Sequence, residues 1–312
     1  MEKIVIIGAG HVGSHAARAL AGEGAGYEVV LTDIVPGKAE AQAMDIADGM
    51  VPGDLPGTVR AGTLEDCADA DVTVVCVGKA REKGQTRLDL LEDSVRRVHA
   101  LGLQMKEAGV GGLVISITNP CDIVADILGR ALGMDRTRVF GTGTLLDTMR
   151  LVRVLSAQTG EARSRIEACV LGEHGDSSMI PFSCVRVGGK RPEACPGFDA
   201  ASALERTHGI GMDIIEGKGS TEFGIGQSVS TLIRRLLAGE EVRSPLSVRL
   251  EGEYGLGGIS CGVPCRVSRR GILSVEELPL EDTEKEALFR SAEVIRRHTR
   301  MAEDLLGLPH RA

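Results

Sequence analysis

Tryptophan is absent from this chain of 312 residues, and seven Phe and Tyr supply all its aromatic rings. So few rings leave little to stack against unpaired bases. The formal charge of −8, from 36 basic and 44 acidic residues, removes the general electrostatic pull toward nucleic acid as well. No nucleic-acid partner is expected. Long hydrophobic runs are missing too. None approaches the ~20 residues that a membrane helix requires, so no membrane partner is expected either. Ile4 to Ile7 leads straight into Gly8, which reads as a first core strand and not as a secretory leader, and a cytoplasmic protein is the expectation. The eight cysteines are scattered, and only Cys261 and Cys265 lie close, spaced C-x-x-x-C without a companion pair. They read as small core hydrophobes in a reduced compartment, with no metal site. The 41 glycines do not recur at every third position, which excludes a collagen-like chain.

What is present is ordinary globular composition, 43% hydrophobic and 26% charged. The first half alternates β-branched apolar runs with helical patterns. Strands are predicted at Lys3–Ile7, Glu28–Thr32, Val72–Val77 and Leu113–Thr118, with a short one near Arg138–Phe140. Helices are predicted at Val12–Ala21, Lys38–Asp48, Leu88–Ala108 and Cys121–Leu132. Continuous apolar strands separated by helices indicate a parallel sheet covered on both faces, whose ligands gather at the carboxyl ends of the strands. Past about residue 144 the rhythm changes. Helices are predicted at Leu145–Thr159, Ala200–Ile215, Gly226–Leu237 and Thr283–Leu306, and strands at Glu167–Leu171, Leu246–Leu250, Ile259–Val263 and Arg266–Arg269. The expected class is α/β: an N-terminal Rossmann domain with a doubly wound parallel sheet (residues 1–144), followed by a mixed α+β catalytic domain (residues 145–312).

Gly8-Ala9-Gly10-His11-Val12-Gly13 fits G-x-G-x-x-G between a strand and a helix, and the next strand ends at Asp33, 20 residues past Gly13. Glycines there permit a tight turn and close backbone approach to a pyrophosphate, whose charge meets the helix N-terminus. The acid at that distance suits the hydroxyls of an adenosine ribose. A carboxylate at position 33 repels a 2′-phosphate, so NAD is expected over NADP.

Two further segments carry chemistry. Gly78 to Arg87 has five charged residues in ten, four of them positive, where ligands of this sheet should bind. Such a loop could close over an anion and expel water, although charge runs are usually solvated surface. His174 follows an apolar strand inside Leu171-Gly172-Glu173-His174-Gly175-Asp176, and Asp147 and Arg150 share a helical face three residues apart. A carboxylate behind an imidazole fixes its tautomer and favours the imidazolium, as a general acid requires. Spacing alone does not bring positions 147 and 174 together.

These residues carry a resemblance. IGAGHVG, the strand ending at Asp33, GQTRLDL, SITNP at Ser116–Pro120, GTGTLLD, VLGEHGDS and DIIEGKGST at Asp213–Thr221 follow the order of the NAD-dependent L-lactate/L-malate dehydrogenase family. The resemblance implies that His174 gives and takes the proton at the substrate hydroxyl, with Asp147 on its other ring nitrogen. It implies that Arg150 grips the C1 carboxylate as a planar fork. Arg87 would polarise the carbonyl. Asn119, before a cis bond to Pro120, would bond near substrate and nicotinamide, and Gly8, Gly10, Gly13 and Asp33 would hold the cofactor. Thr221 would lie near the substrate, and a homodimer or homotetramer is implied.

The family's specificity position falls on Arg81, six residues before Arg87. Relatives with Gln there act on lactate and those with Arg on malate. A second carboxylate on oxaloacetate would pair with Arg81, whereas pyruvate would leave a desolvated guanidinium alone, at a cost of about 3–5 kcal/mol. The expected reaction is therefore interconversion of (S)-malate and oxaloacetate, with a small dicarboxylate as substrate. An L-lactate or other 2-hydroxyacid dehydrogenase is the alternative. Val152 and Glu167 stand where the resemblance places the sugar-bisphosphate ligands of allosteric lactate enzymes, and His11 and the missing Pro after Arg81 are further departures. An NAD-dependent glycosidase has only Cys121 after Asn119-Pro120 in its favour, and a non-catalytic NAD sensor would need no acid–base pair.

Overall fold

The computed structural model describes residues 1–22, 26–78 and 87–310, without the side chains of residues 87–90. Its first half runs β1 (Lys3–Ile7), α1 (His11–Gly22), β2 (Glu28–Thr32), α2 (Lys38–Asp48), β3 (Thr58–Ala61), β4 (Val72–Val75), α3 (Arg87–Glu107), β5 (Leu113–Ser116), α4 (Cys121–Leu132) and β6 (Val139–Gly141). All six strands pair in parallel, in the order β3-β2-β1-β4-β5-β6. This is the Rossmann order. Successive windings leave β1 in opposite directions, so a crevice opens at the carboxyl ends of β1 and β4.

The sequence explains the layering. Ile4 and Ile6 of β1 face one way and join a core with Ala16, Ala17 and Leu20 of α1 and Val229 of α7 (Phe223–Leu237). Val5 and Ile7 face the other way, toward Val98 and Met105 of α3 and Val124 and Leu128 of α4. Both faces are apolar, so the strands read as continuous hydrophobic runs. β3 was not expected. Its four residues, Thr-Val-Arg-Ala, lie at the sheet edge with every other position exposed, and Arg60 masks the pattern. β4 stops two residues short of the predicted end because the Val77 amide donates to Thr118 Oγ1 (3.0 Å) and not to a neighbouring strand.

The second half runs α5 (Leu145–Thr159), β7 (Ile166–Glu167), β8 (Arg186–Val187), α6 (Ala200–Lys218), α7, β9 (Val242–Glu251), β10 (Gly257–Ser268), β11 (Gly271–Val275) and α8 (Asp282–Leu306). The expected strand Glu167–Leu171 is only the short β7 plus a bridge between Leu171 and Met179. The predicted strands Ile259–Val263 and Arg266–Arg269 are one strand, β10. Pro264 faces Pro245 of β9, so the position lacking a donor on one strand meets one lacking it on the other. An antiparallel β9-β10-β11 unit joins the parallel sheet through the pair Gly141–Ser247, giving nine strands in one sheet.

Charged groups fasten α4 to α8. Arg130 is 6% exposed and lies 2.7 Å from Asp126 Oδ2, while another of its nitrogens bonds Glu303. Burial pushes the Asp126 carboxyl up, against the pull of Arg130. Arg130→Met leaves two buried carboxylates without this cation, so it should destabilise the fold by about 3–5 kcal/mol. Urea unfolding tests this: a midpoint equal to wild type would show that the triad contributes nothing.

Candidate active site

The turn between β1 and α1 closes only because of its glycines. Gly8 has φ +107°, and a Cβ there would lie 2.1 Å from the Cys76 carbonyl oxygen. A Cβ on Gly13 would lie 1.9 Å from the Gly8 carbonyl oxygen. At Gly10 a Cβ would meet nothing within 4 Å. α1 therefore starts hard against the sheet, with its N-terminal amides at the carboxyl end of β1. Asp33, at the end of β2, accepts the Ala9 amide through Oδ2 (2.8 Å) and the Val35 amide through Oδ1 (2.9 Å). Lys38 Nζ lies 3.3 Å from Oδ2, a neighbour the sequence reasoning did not single out. Gly turn, helix N-terminus and carboxylate meet as a dinucleotide needs them: open backbone for the pyrophosphate, an acceptor for the ribose. His11 reaches across to Ser220 Oγ at 3.2 Å, beside Thr221 in the connection between α6 and α7.

At the next strand ends lie the titratable groups. Asn119 is exposed between β5 and α4 and precedes Pro120 through a cis peptide. Asp147 sits in the first turn of α5, 8% exposed, with its Oδ1 taking a hydrogen bond from Arg150 NH1 at 3.0 Å. His174 is delivered by a different segment. Gly172, φ +95°, exchanges two backbone hydrogen bonds with Gly262 of β10, which anchors the loop two residues before the imidazole. His174 Nδ1 and Asp147 Oδ2 are then 2.6 Å apart. An ionised carboxylate only accepts, so Nδ1 carries the proton there and Nε2 remains for exchange with a ligand.

The electrostatics follow from burial and pairing. Burial disfavours the imidazolium of His174, but the charge and hydrogen bond of Asp147 outweigh it, and the pKa stands above the usual histidine value. Burial likewise opposes ionisation of Asp147, and His174 with Arg150 overcomes it, holding the carboxyl below its ordinary range. Two residues missed from sequence complete the surroundings. Gly211 of α6 faces Arg150, where a Cβ would stand 3.4 Å from NH1, so the glycine leaves room beside the guanidinium. Asp122, in the first turn of α4, accepts the His174 amide (2.8 Å) and the Ser247 hydroxyl (2.5 Å). An acid in the first turn of a helix is common, so the sequence around Asn119-Pro120 does not set it apart. Arg81 lies outside the described residues, as does the side chain of Arg87.

The chain matches the family model described as lactate/malate dehydrogenase, NAD binding domain, over residues 2–141, and the model for the alpha/beta C-terminal domain over residues 144–305. It is 37% identical to L-lactate dehydrogenase 2 of Listeria monocytogenes over 306 residues, covering 95% of this chain and 97% of that one. Among solved structures, the minor L-lactate dehydrogenase from Enterococcus mundtii superposes with a TM-score of 0.92 at 31% identity, covering 96% and 98% of the two chains. The malate dehydrogenase from Picrophilus torridus gives 0.92 at 26% identity, covering 98% of each. Further curated relatives, 33% to 36% identical, are also L-lactate dehydrogenases. NAD is the cofactor of this family's N-terminal domain, and the glycine turn with Asp33 fits it.

The expectation of malate specificity is corrected by the curated relatives, which are L-lactate dehydrogenases. It rested on one position, Arg81, and on the cost of leaving a guanidinium dry and unpaired. That cost applies only to a group stripped of water; a hydrated guanidinium loses nothing beside a methyl group.

Asp147→Asn keeps the shape of the pair and removes its charge. Turnover should fall by about 10²–10⁴-fold. The stability difference between wild type and variant has a defined window. The raised His174 pKa makes its share present below the unfolded histidine value and lost as pH rises through the folded one. The lowered Asp147 pKa makes its share present above the unfolded aspartate value and lost as pH falls through the folded one. The gap in urea midpoints should therefore be widest between about pH 4 and 6.5. A gap independent of pH would refute the ion pair.

Proposed function

Because the chain belongs to the lactate/malate dehydrogenase family, we propose that it interconverts L-lactate and pyruvate with NAD. The contact that supports the chemistry best is His174 Nδ1 to Asp147 Oδ2 at 2.6 Å, with Arg150 on the other carboxylate oxygen. The relatives' substrate supports pyruvate over a dicarboxylate.

On this reading residues 1–144 hold the dinucleotide, through Gly8, Gly10, Gly13 and Asp33, and residues 145–312 hold the substrate. Bound NAD supplies or accepts the hydride at C2 of the substrate. Arg150 takes the substrate carboxylate with the donors not turned to Asp147, which orients C2 toward the crevice. His174 Nε2 gives its proton to the developing alkoxide during reduction and recovers it during oxidation. Asp147 keeps the imidazole in the tautomer that makes this possible and stabilises its charged form. Asn119, at the carboxyl end of β5, supports the ligand on the side of the cofactor, and Arg87 polarises the carbonyl. The enzyme works as a dimer or tetramer: Met44 of α2 (63% exposed) and Met212 of α6 (56%) are apolar positions that a second copy would cover. Its eight free thiols suit the reducing cytoplasm.

Steady-state reduction with NADH, followed by absorbance, tests the reading. Pyruvate should exceed oxaloacetate and branched 2-oxo acids in kcat/KM by at least about tenfold, an ordinary range for discrimination by one pocket. His174→Asn should lower kcat by about 10²-fold or more while NADH still binds. Preference for any other acid, or a variant at wild-type rate, would reject the assignment.

A further inference from the structure

Asp122 is 1% exposed, and both of its oxygens are taken by neutral donors, the Ser247 hydroxyl of β9 and the His174 amide. A neutral acceptor could serve those two donors without the cost of stripping water from a charge. What a carboxylate adds is the charge itself, and that charge stands next to the loop that carries the imidazole.

We infer that Asp122 is a positioning residue for the acid–base reaction: it fixes the loop through the His174 amide and, as a second carboxylate beside Asp147, favours the protonated imidazole. The inference deepens the proposed function and rests on His174 being its proton carrier. Two observations support it. The bonds to Ser247 and His174 tie α4, β9 and the catalytic loop at one point, so the loop cannot shift without breaking a buried bond. The negative charge of Asp122 raises the His174 pKa, next in order after the charge and hydrogen bond of Asp147.

Among the described residues, the charged and titratable groups that act on this pair include Asp147 and Arg150 of α5, Glu173 on the loop, Cys121 next to Asp122, and Cys261 of β10. Burial pushes Cys121 up to about 12 and Cys261 well above the ordinary thiol value, so both stay neutral. Burial also pushes the Asp122 carboxyl up to about 6, against the Ser247 and His174 bonds. Asp122 therefore supports His174 above that pH and ceases to as pH falls through it.

The test uses the full chain as wild type, Asp122→Asn and Ser247→Ala. The His174 imidazole is titrated by NMR with labelled histidine, and pyruvate reduction is profiled against pH. Asp122→Asn keeps an acceptor for the His174 amide, so a purely structural role predicts an unchanged titration. The inference predicts that His174 titrates at lower pH, that kcat falls by about tenfold with KM much less affected, and that the acid limb of the profile disappears. Ser247→Ala removes a bond to the charged form, so the acid limb should move to higher pH. An unmoved His174 titration in Asp122→Asn would overturn the inference, even if stability fell. If that variant does not fold, an unmoved acid limb in Ser247→Ala overturns it instead. The NMR titration needs no turnover, so a protein that reduces no 2-oxo acid would sink the proposed function and leave this inference separately decided.

Discussion

A carboxylate and an imidazole held 2.6 Å apart and largely out of water are the constraint around which the rest is arranged. Either group alone would be driven toward its neutral form by burial. Together they keep opposite charges, and Arg150 NH1 shares the carboxylate from the other side. The consequence is a histidine that carries its proton at a pH where a free imidazole would have begun to lose it. Such a group can deliver a proton to a reduced carbonyl and take it back, which is what a reversible dehydrogenation asks of the protein.

The fold supplies this contact from elements far apart in sequence. α5 starts immediately after β6 and brings Asp147 and Arg150 to the edge of the parallel sheet. The His174 loop comes from the irregular region between β7 and β8, and its bridge to Gly262 of β10 sets its height against the sheet. Asp122 then ties the loop to α4 and β9. The cofactor cradle sits on the same carboxyl edge, and His11 links its turn to the connection between α6 and α7. The glycine turn with Asp33 and the His174–Asp147 pair thus lie along one edge because a Rossmann sheet offers its exposed strand ends there.

Much of the site could be read before any coordinates, for reasons that differ by residue. The glycine turn and Asp33 span 26 residues of one strand–helix–strand unit, so local spacing alone placed them, and Asp33 does bond the Ala9 amide. His174 and Asp147 were recognisable as a type of pair, but their meeting depends on the Gly172–Gly262 bridge, a tertiary event with no local signal. Asp122 escaped notice because an acid in the first turn of a helix is usual, and only burial distinguishes it. β10 was split because Pro264 normally breaks a strand, and nothing local reveals Pro245 opposite it. The malate expectation failed for a related reason. Whether an arginine recognises a second carboxylate depends on its desolvation, which one residue type at one position does not encode.

The central claim is that a paired, protonated His174 delivers the proton. The most direct measurement is single-turnover reduction of pyruvate by the NADH-loaded enzyme across pH, set beside the same experiment with Asp147→Asn. The account predicts a wild-type rate that declines as pH rises through a value above that of free histidine, and an inflection at lower pH in the variant. A rate that is flat through that region, or the same inflection in both proteins, would contradict it.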